Sequence, residues 1–338
     1  MINYVYRLVS PRVITVKYQN IDINGDRVIV RPKYMSICHA DQRYFTGNRD
    51  ISVLRKKLPM ALIHECMGEV ACDPTGNFHV GEQVVLIPNQ PGNPVDGVYA
   101  NYLRDSKFLS SGNDGFMREY VDLPADRIVS CEGVRPELAA ITEFISVPFH
   151  AVARLKRAAQ TNLGSIGIWG DGALGYLVAM ALKYALPDTK LYVIGMDKQK
   201  LSRFTFVNDT FLSNELPTDF HVDHAFECCG GDGCYYAGRQ IIDVINPQGT
   251  ILLMGVSEKE VPLNTRMVLE RGLTLVGSSR SDREDFENAT EFLRDKKAQS
   301  RVSKIISEVC DINCIEDIYD AFARDITNPF KTVLKWNI

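Results

Sequence analysis

The feature that most restricts how this chain can fold is a glycine turn near its middle. The apolar run Ile166-Gly167-Ile168-Trp169 leads directly into Gly170-Asp171-Gly172-Ala173-Leu174-Gly175. A helical pattern follows over residues 174–186. Glycines at this spacing permit a tight turn and let the backbone approach a pyrophosphate, which then faces the free N–H groups at the helix N-terminus. A glycine turn by itself is weak evidence. Between a strand and a helix it predicts dinucleotide binding through Gly170, Gly172, Leu174 and Gly175. Further strands are predicted at 191–194, 223–227, 250–254 and 273–276, with helical segments among them. Such alternation predicts an α/β domain built on a doubly wound parallel sheet.

The strand at 191–194 ends in Gly195, where NAD enzymes carry an acid for the ribose 2′-hydroxyl. Glycine removes the repulsion that a carboxylate would exert on a 2′-phosphate. Lys198 and Lys200 follow closely, so the reading favours NADP, with Lys200 as a phosphate partner. Asp197 supports the rival reading, a ribose acid displaced by two residues.

The first ~140 residues read differently, as β-rich sequence broken by turns. Apolar runs at 27–32 and 82–88 stop at turn residues, and Gly25, Gly47, Gly68, Gly76, Gly81 and Gly115 punctuate the stretch. This suits a barrel-like sheet assembly with long functional loops. Helical stretches open at Pro136 and at Ser146. The tail, 332–336, is predicted to return to the first domain as a strand.

Bulk properties remove some functions. A net charge of -4 argues against a nucleic-acid-binding surface. No stretch reaches the ~18 apolar residues of a membrane span, and the start lacks the pattern of a signal peptide. The expected location is the cytoplasm. Nine cysteines, an odd number with no CxxC spacing, fit free thiols better than a disulfide scaffold.

Cys38-His39-Ala40-Asp41 is expected on a loop after an apolar strand. His64-Glu65 follows, and Glu143 lies further on. Thiolate, imidazole and carboxylate are the zinc ligand set. Each alone has a plainer reading: Cys38 as a small core residue, His64 as a satisfied core histidine, Glu143 as a helix-surface acid. Their order and neighbours shift that balance. With Gly115-Phe116-Met117-Arg118-Glu119-Tyr120-Val121, Phe226-Glu227-Cys228-Cys229-Gly230 and Pro247-Gln248-Gly249-Thr250, the chain resembles the medium-chain zinc alcohol/polyol dehydrogenases along nearly its whole length.

That resemblance implies a Rossmann domain over 143–284 and a GroES-like catalytic domain over 1–142, completed by about 285–338. It implies catalytic zinc on Cys38 and His64, with Glu65 and Glu143 binding the metal or exchanging with water. Asp41 would orient His64, and His39 would approach the cofactor pyrophosphate. Residues 35–66, 113–116, 277–281 and 331–336 are similar, more narrowly, to the ribulose-5-phosphate reductases of bacterial CDP-ribitol synthesis. The narrower resemblance implies NADPH-driven reduction of D-ribulose 5-phosphate to D-ribitol 5-phosphate, feeding teichoic acid or capsule synthesis. It also implies zinc as a Lewis acid toward the ketone, a ribitol-5-phosphate cytidylyltransferase acting next, and a homodimer.

Two departures from the wider family stand out. The lobe over 89–112, where many members hold a second zinc on cysteines, contains no cysteine, so one catalytic zinc per chain and no structural zinc is expected. The usual proton-relay positions are Ala40 and Arg43. Alanine has no proton to give and arginine stays charged. The proton must travel through water with Glu65 or Glu143, or through Tyr44. The planar guanidinium of Arg43 suits a substrate phosphate. Arg280 is a comparable candidate, as is the basic run Arg49, Arg55, Lys56 and Lys57, whose plainer reading is a solvated face. Two rival functions remain: an NAD-linked polyol dehydrogenase, and a cofactor-binding protein that keeps the fold without catalysis.

Overall fold

The structure, a computed structural model, describes residues 1–160 and 162–338. The chain divides into two compact units, Met1–Ser146 with Ser281–Ile338, and Val147–Arg280. The helix Thr142–Ala158 straddles the first boundary, so Glu143 belongs to the first unit rather than to the dinucleotide-binding one.

The second unit is a six-stranded sheet, all parallel. Its spatial order is Asp209–Leu212, Lys190–Gly195, Ser165–Trp169, Val222–Glu227, Ile245–Leu253 and Thr274–Gly277. Numbered along the chain this is 3-2-1-4-5-6, the doubly wound order of dinucleotide-binding domains. Parallel strands are covered on both faces and read as nearly unbroken apolar runs. Ile166 and Ile168, Leu191, Val193 and Ile194, and Ala225 and Phe226 are all buried. The edge strand Asp209–Leu212 has no fully buried residue, which is why no apolar run announced it.

The first unit is built on seven strands in the order Ile128–Ser130, Gln83–Leu86, Glu65–Cys72, Val28–Ser36, Lys331–Trp336 and Ile306–Ile312, with Val121–Leu123 also paired to Val28–Ser36. The strand Lys331–Trp336 runs antiparallel to Val28–Ser36 and parallel to Ile306–Ile312, so the predicted return to the first domain is found. A separate hairpin, Ile2–Ser10 with Val13–Asn20, pairs with Met60–Ala61. The core between these layers includes Leu8, Met35, Tyr44, Ile63, Phe116, Phe322 and Trp336.

Two features of this unit escaped the sequence reading. The helices Arg283–Arg294, Lys296–Val302 and Ile315–Asp325 were not anticipated. Charge disguises them. In the first, Phe286, Ala289, Thr290 and Leu293 are buried at i, i+3, i+4 and i+7, an apolar stripe among acids and arginines. The Cys38 motif also differs from expectation. It is not a loop: Cys38 is the N-cap of the helix His39–Thr46. Among the described residues no helix is long and apolar enough to cross a membrane.

Candidate active site and metal centre

Strand register brings the site together. Val28–Ser36 and Glu65–Cys72 pair antiparallel with Ser36 opposite Glu65. Cys38 lies just beyond the end of one strand and His64 just before the start of the other, so pairing at Ser36 carries both to one place. The Cys38 Sγ, a ring nitrogen of His64 and a Glu65 carboxylate oxygen lie within 4.8 Å of one another. Among the described residues they form the one such group of three or more histidine, cysteine and acidic side chains.

Asp41 organises the group. Its Oδ2 accepts the Cys38 N–H at 3.1 Å, and its Oδ1 accepts the Ile63 N–H at 3.0 Å and the Ser110 hydroxyl at 2.7 Å. His64 Nδ1 lies 3.6 Å from Asp41 Oδ2, an ion-pair distance rather than a good hydrogen bond. Burial raises the Asp41 carboxyl, but His64 and these donors outweigh it and hold it below the usual range. Burial likewise pushes His64 down, yet Asp41 and Cys38 together drive it well above its usual value. The imidazole ring also meets Phe108 edge-on, with centroids 5.4 Å apart.

The backbone before His64 is strained. Ile63 has φ 68, a left-handed conformation that is a genuine outlier for a β-branched residue. Its N–H is taken by Asp41, and its carbonyl accepts the Phe116 N–H at 2.7 Å. Gly115 makes this possible: a Cβ there would sit 2.4 Å from the carbonyl oxygens of both Leu62 and Ile63. The Gly115-Phe116 segment therefore packs directly against the turn that presents His64.

Glu65 is fully buried and hydrogen-bonded to a residue the sequence reading used only as part of a matching segment. Lys331 Nζ donates to Glu65 Oε1 at 2.6 Å and to the Ile37 carbonyl at 2.8 Å, and lies 4.9 Å from the Phe144 ring centroid. Glu65 Oε2 is buried without a hydrogen-bond partner. A buried carboxylate oxygen lacking a donor is costly, and beside a thiol and an imidazole it suits a cation. The residues thus fit zinc. Glu143, expected as a fourth ligand, stands outside the group of three. Its carboxyl is pushed up to about 7, first by burial and then by Glu65, with His64 and Lys331 opposing.

In the second unit the glycines have separate duties. Gly170 has φ +132, and a Cβ there would press on the Cys228 carbonyl oxygen at 2.9 Å. A Cβ on Gly175 would lie 1.9 Å from the Gly170 carbonyl oxygen, whereas one on Gly172 would meet nothing within 4 Å. The first and third glycines close the turn, and the second faces open space at the N-cap of helix Ala173–Ala185. Leu174 is half-buried in its first turn. This is the division of labour of a pyrophosphate-binding turn.

Residues 24–133 match the alcohol dehydrogenase GroES-like domain. Over its whole length the chain is 49% identical to the ribulose-5-phosphate reductase of Streptococcus pneumoniae, covering 98% of that protein. It is 45% identical to the ribulose-5-phosphate reductase of Bacillus spizizenii, with both chains fully covered. The chain belongs to the ribulose-5-phosphate reductases, a branch of the medium-chain dehydrogenases. Among solved structures, S. aureus TarJ in complex with NADPH superposes on this family member with a TM-score of 0.89 at 43% identity, covering all of both chains. The sorbitol dehydrogenase of Bacillus subtilis stands further off, 28% identical over 76% of each chain.

The remaining candidate residues fall in varied places. His39 is exposed on the first turn after Cys38, and Arg43 is half-buried on the same helix. Tyr44 lies in the hydrophobic core with the Arg49 guanidinium 4.2 Å from its ring centroid. Arg280 is exposed, with φ 59. Arg55, Lys56 and Lys57 end the helix Ile51–Lys57, which has no buried residue. Lys200 is half-buried and Lys198 exposed. His150 is buried on the helix Thr142–Ala158.

Proposed function

We propose that this chain reduces D-ribulose 5-phosphate to D-ribitol 5-phosphate with NADPH at a single zinc centre held by Cys38, His64 and Glu65. The observation that carries the reading is the convergence of those three side chains around one unpartnered buried carboxylate oxygen. Full-length identity to ribulose-5-phosphate reductases supports the choice of substrate. Bound zinc supplies a Lewis acid for the substrate carbonyl, and NADPH supplies the hydride.

The chain's own residues do the rest. Asp41 fixes the Cys38 N–H and the Ile63 turn, and so sets the direction of His64. Lys331 neutralises Glu65 from the side away from its free oxygen. Glu143, whose carboxyl burial raises, lies outside the group of three and is assigned the delivery of the proton. Arg43, on the helix that Cys38 caps, is assigned to the substrate phosphate, and Arg280 is a second candidate. Gly170, Gly172, Leu174 and Gly175 hold the cofactor pyrophosphate, with His39 and Lys200 as further cofactor contacts. In this reading the enzyme works in the cytoplasm as a homodimer with no structural zinc, and a cytidylyltransferase consumes its product for cell-wall polymer synthesis.

The test is NADPH oxidation with ribulose 5-phosphate, with and without a chelator, beside NADH and unphosphorylated ribulose. Turnover should need the 5-phosphate, fall on chelation and return with zinc. Equal rates with ribulose, or full activity without metal, would overturn the assignment. Cys38→Ser should lose bound zinc and reduce kcat/KM by ~1000-fold, the several kcal/mol a Lewis acid supplies.

A further inference from the structure

Asp171, the residue after the first glycine of the turn, places its carboxylate at the end of the neighbouring strand. Its Oδ2 accepts the backbone N–H groups of Met196 at 2.7 Å and Asp197 at 2.8 Å. A Cβ on Gly195 would lie 2.6 Å from that same oxygen. Gly195 must therefore be glycine because Asp171 fills the space, whatever the cofactor. Glycine at 195 therefore does not by itself distinguish NADP from NAD. A carboxylate stands close to where an acid at position 195 would have put one, delivered from the glycine turn that follows the adjacent strand.

The other acid nearby, Asp197, likewise accepts two backbone N–H groups. Asp197 Oδ1 caps the helix Lys198–Leu201, accepting Gln199 N–H at 2.7 Å and Lys200 N–H at 3.2 Å. Of the two acids, Asp171 is the one that lines a pocket of about 530 Å³, together with Gly195, Met196, Ser213, Tyr236 and Gln240. The end of the second strand is where such domains read the ribose 2′ position. A carboxylate there accepts a hydrogen bond from a 2′-hydroxyl and repels a 2′-phosphate.

We propose that Asp171 sets the choice at the cofactor's 2′ position, drawing a 2′-hydroxyl and opposing a 2′-phosphate. The inference rests on the reading that this pocket takes NADPH. It adds that the margin by which NADPH is preferred is held down by a residue of the turn itself.

The experiment is calorimetric titration of the full chain with ADP and with 2′,5′-ADP, probes that carry the 2′ difference without the nicotinamide. Asp171→Asn keeps an oxygen for the Met196 and Asp197 N–H groups and removes the charge. It should shift the affinity ratio toward 2′,5′-ADP by roughly tenfold. Asp171→Ser, smaller and also neutral, should shift it the same way. An unchanged ratio in both variants, or a shift toward ADP, overturns the role of Asp171 and leaves the pocket assignment standing. Failure of both nucleotides to bind the unmodified chain overturns the pocket as the cofactor site, and this inference with it.

Discussion

Lys331 and Glu65, 266 residues apart in sequence, form a buried ion pair with the ammonium 2.6 Å from Oε1. The pair leaves one carboxylate oxygen committed and the other without a partner. Removing one member of a buried pair strands the other charge, at a cost of about 3–5 kcal/mol. Lys331→Met should therefore lower unfolding free energy by that amount. The double variant Lys331→Met, Glu65→Gln should lose much less than the sum of the singles. Urea unfolding of the three variants measures this, and additive losses would mean that the pair is not coupled.

Gly115 and Ile63 give a second test. Alanine at 115 would drive its methyl onto two backbone carbonyl oxygens, which cannot swing aside as a side chain can. Relief must come from the left-handed turn at Ile63, and His64 moves with it. Gly115→Ala should lose about 1–3 kcal/mol of stability and weaken zinc binding by roughly 10–100-fold, as disturbed support of a ligand does. A chelator-competition titration reads the second effect. Unchanged zinc affinity would separate the strain at Ile63 from the aim of His64.

The glycine turn predicts opposite signatures for two similar changes. Gly175→Ala cannot fit against the Gly170 carbonyl, so it should lower Tm and abolish NADPH binding together. Gly172→Ala meets no protein atom, so Tm should stay put while NADPH affinity falls by at least ~10-fold, because the methyl occupies the space a pyrophosphate approaches. Thermal melts paired with cofactor fluorescence distinguish the two. Normal NADPH binding by Gly172→Ala would place the pyrophosphate elsewhere.

Asp223 supplies a pH dependence. Its carboxylate accepts the Ser165 N–H and hydroxyl and the Asn246 amide. Burial raises its pKa, but Asn246 and Ser165 outweigh burial and leave it below the usual value. A depressed folded pKa contributes stability above the unfolded value, and that contribution disappears as pH falls through the folded one. Stability should thus drop below about pH 4, with a shallower slope in Asp223→Asn. Parallel slopes in denaturant melts from pH 6 to pH 3 would exclude Asp223 as a source.

What the sequence made legible was local or carried by spacing. The turn at Gly170 could be read because only glycine serves there, and the parallel strands because burial on both faces leaves apolar runs. Cys38 and His64 could be paired from their neighbours, although what joins them is the register of Ser36 against Glu65. The rest was hidden for definite reasons. A lysine opening an apolar strand gives no sign that it meets a glutamate 266 residues away. Isoleucine is among the last residues expected in a left-handed turn, so Ile63 was silent. Asp171 counts as a variable position in the glycine pattern, and only the fold shows it reaching Met196.

The strand Lys331–Trp336 lies between Val28–Ser36 and Ile306–Ile312 and carries the ammonium that meets Glu65. During synthesis, then, Cys38, His64 and Glu65 emerge long before the group that neutralises Glu65. A nascent chain halted before residue 331 would possess every ligand atom and still lack the counter-charge and the strand that closes the sheet. Assembly of the complete metal centre therefore waits for this strand to emerge and pair with Val28–Ser36.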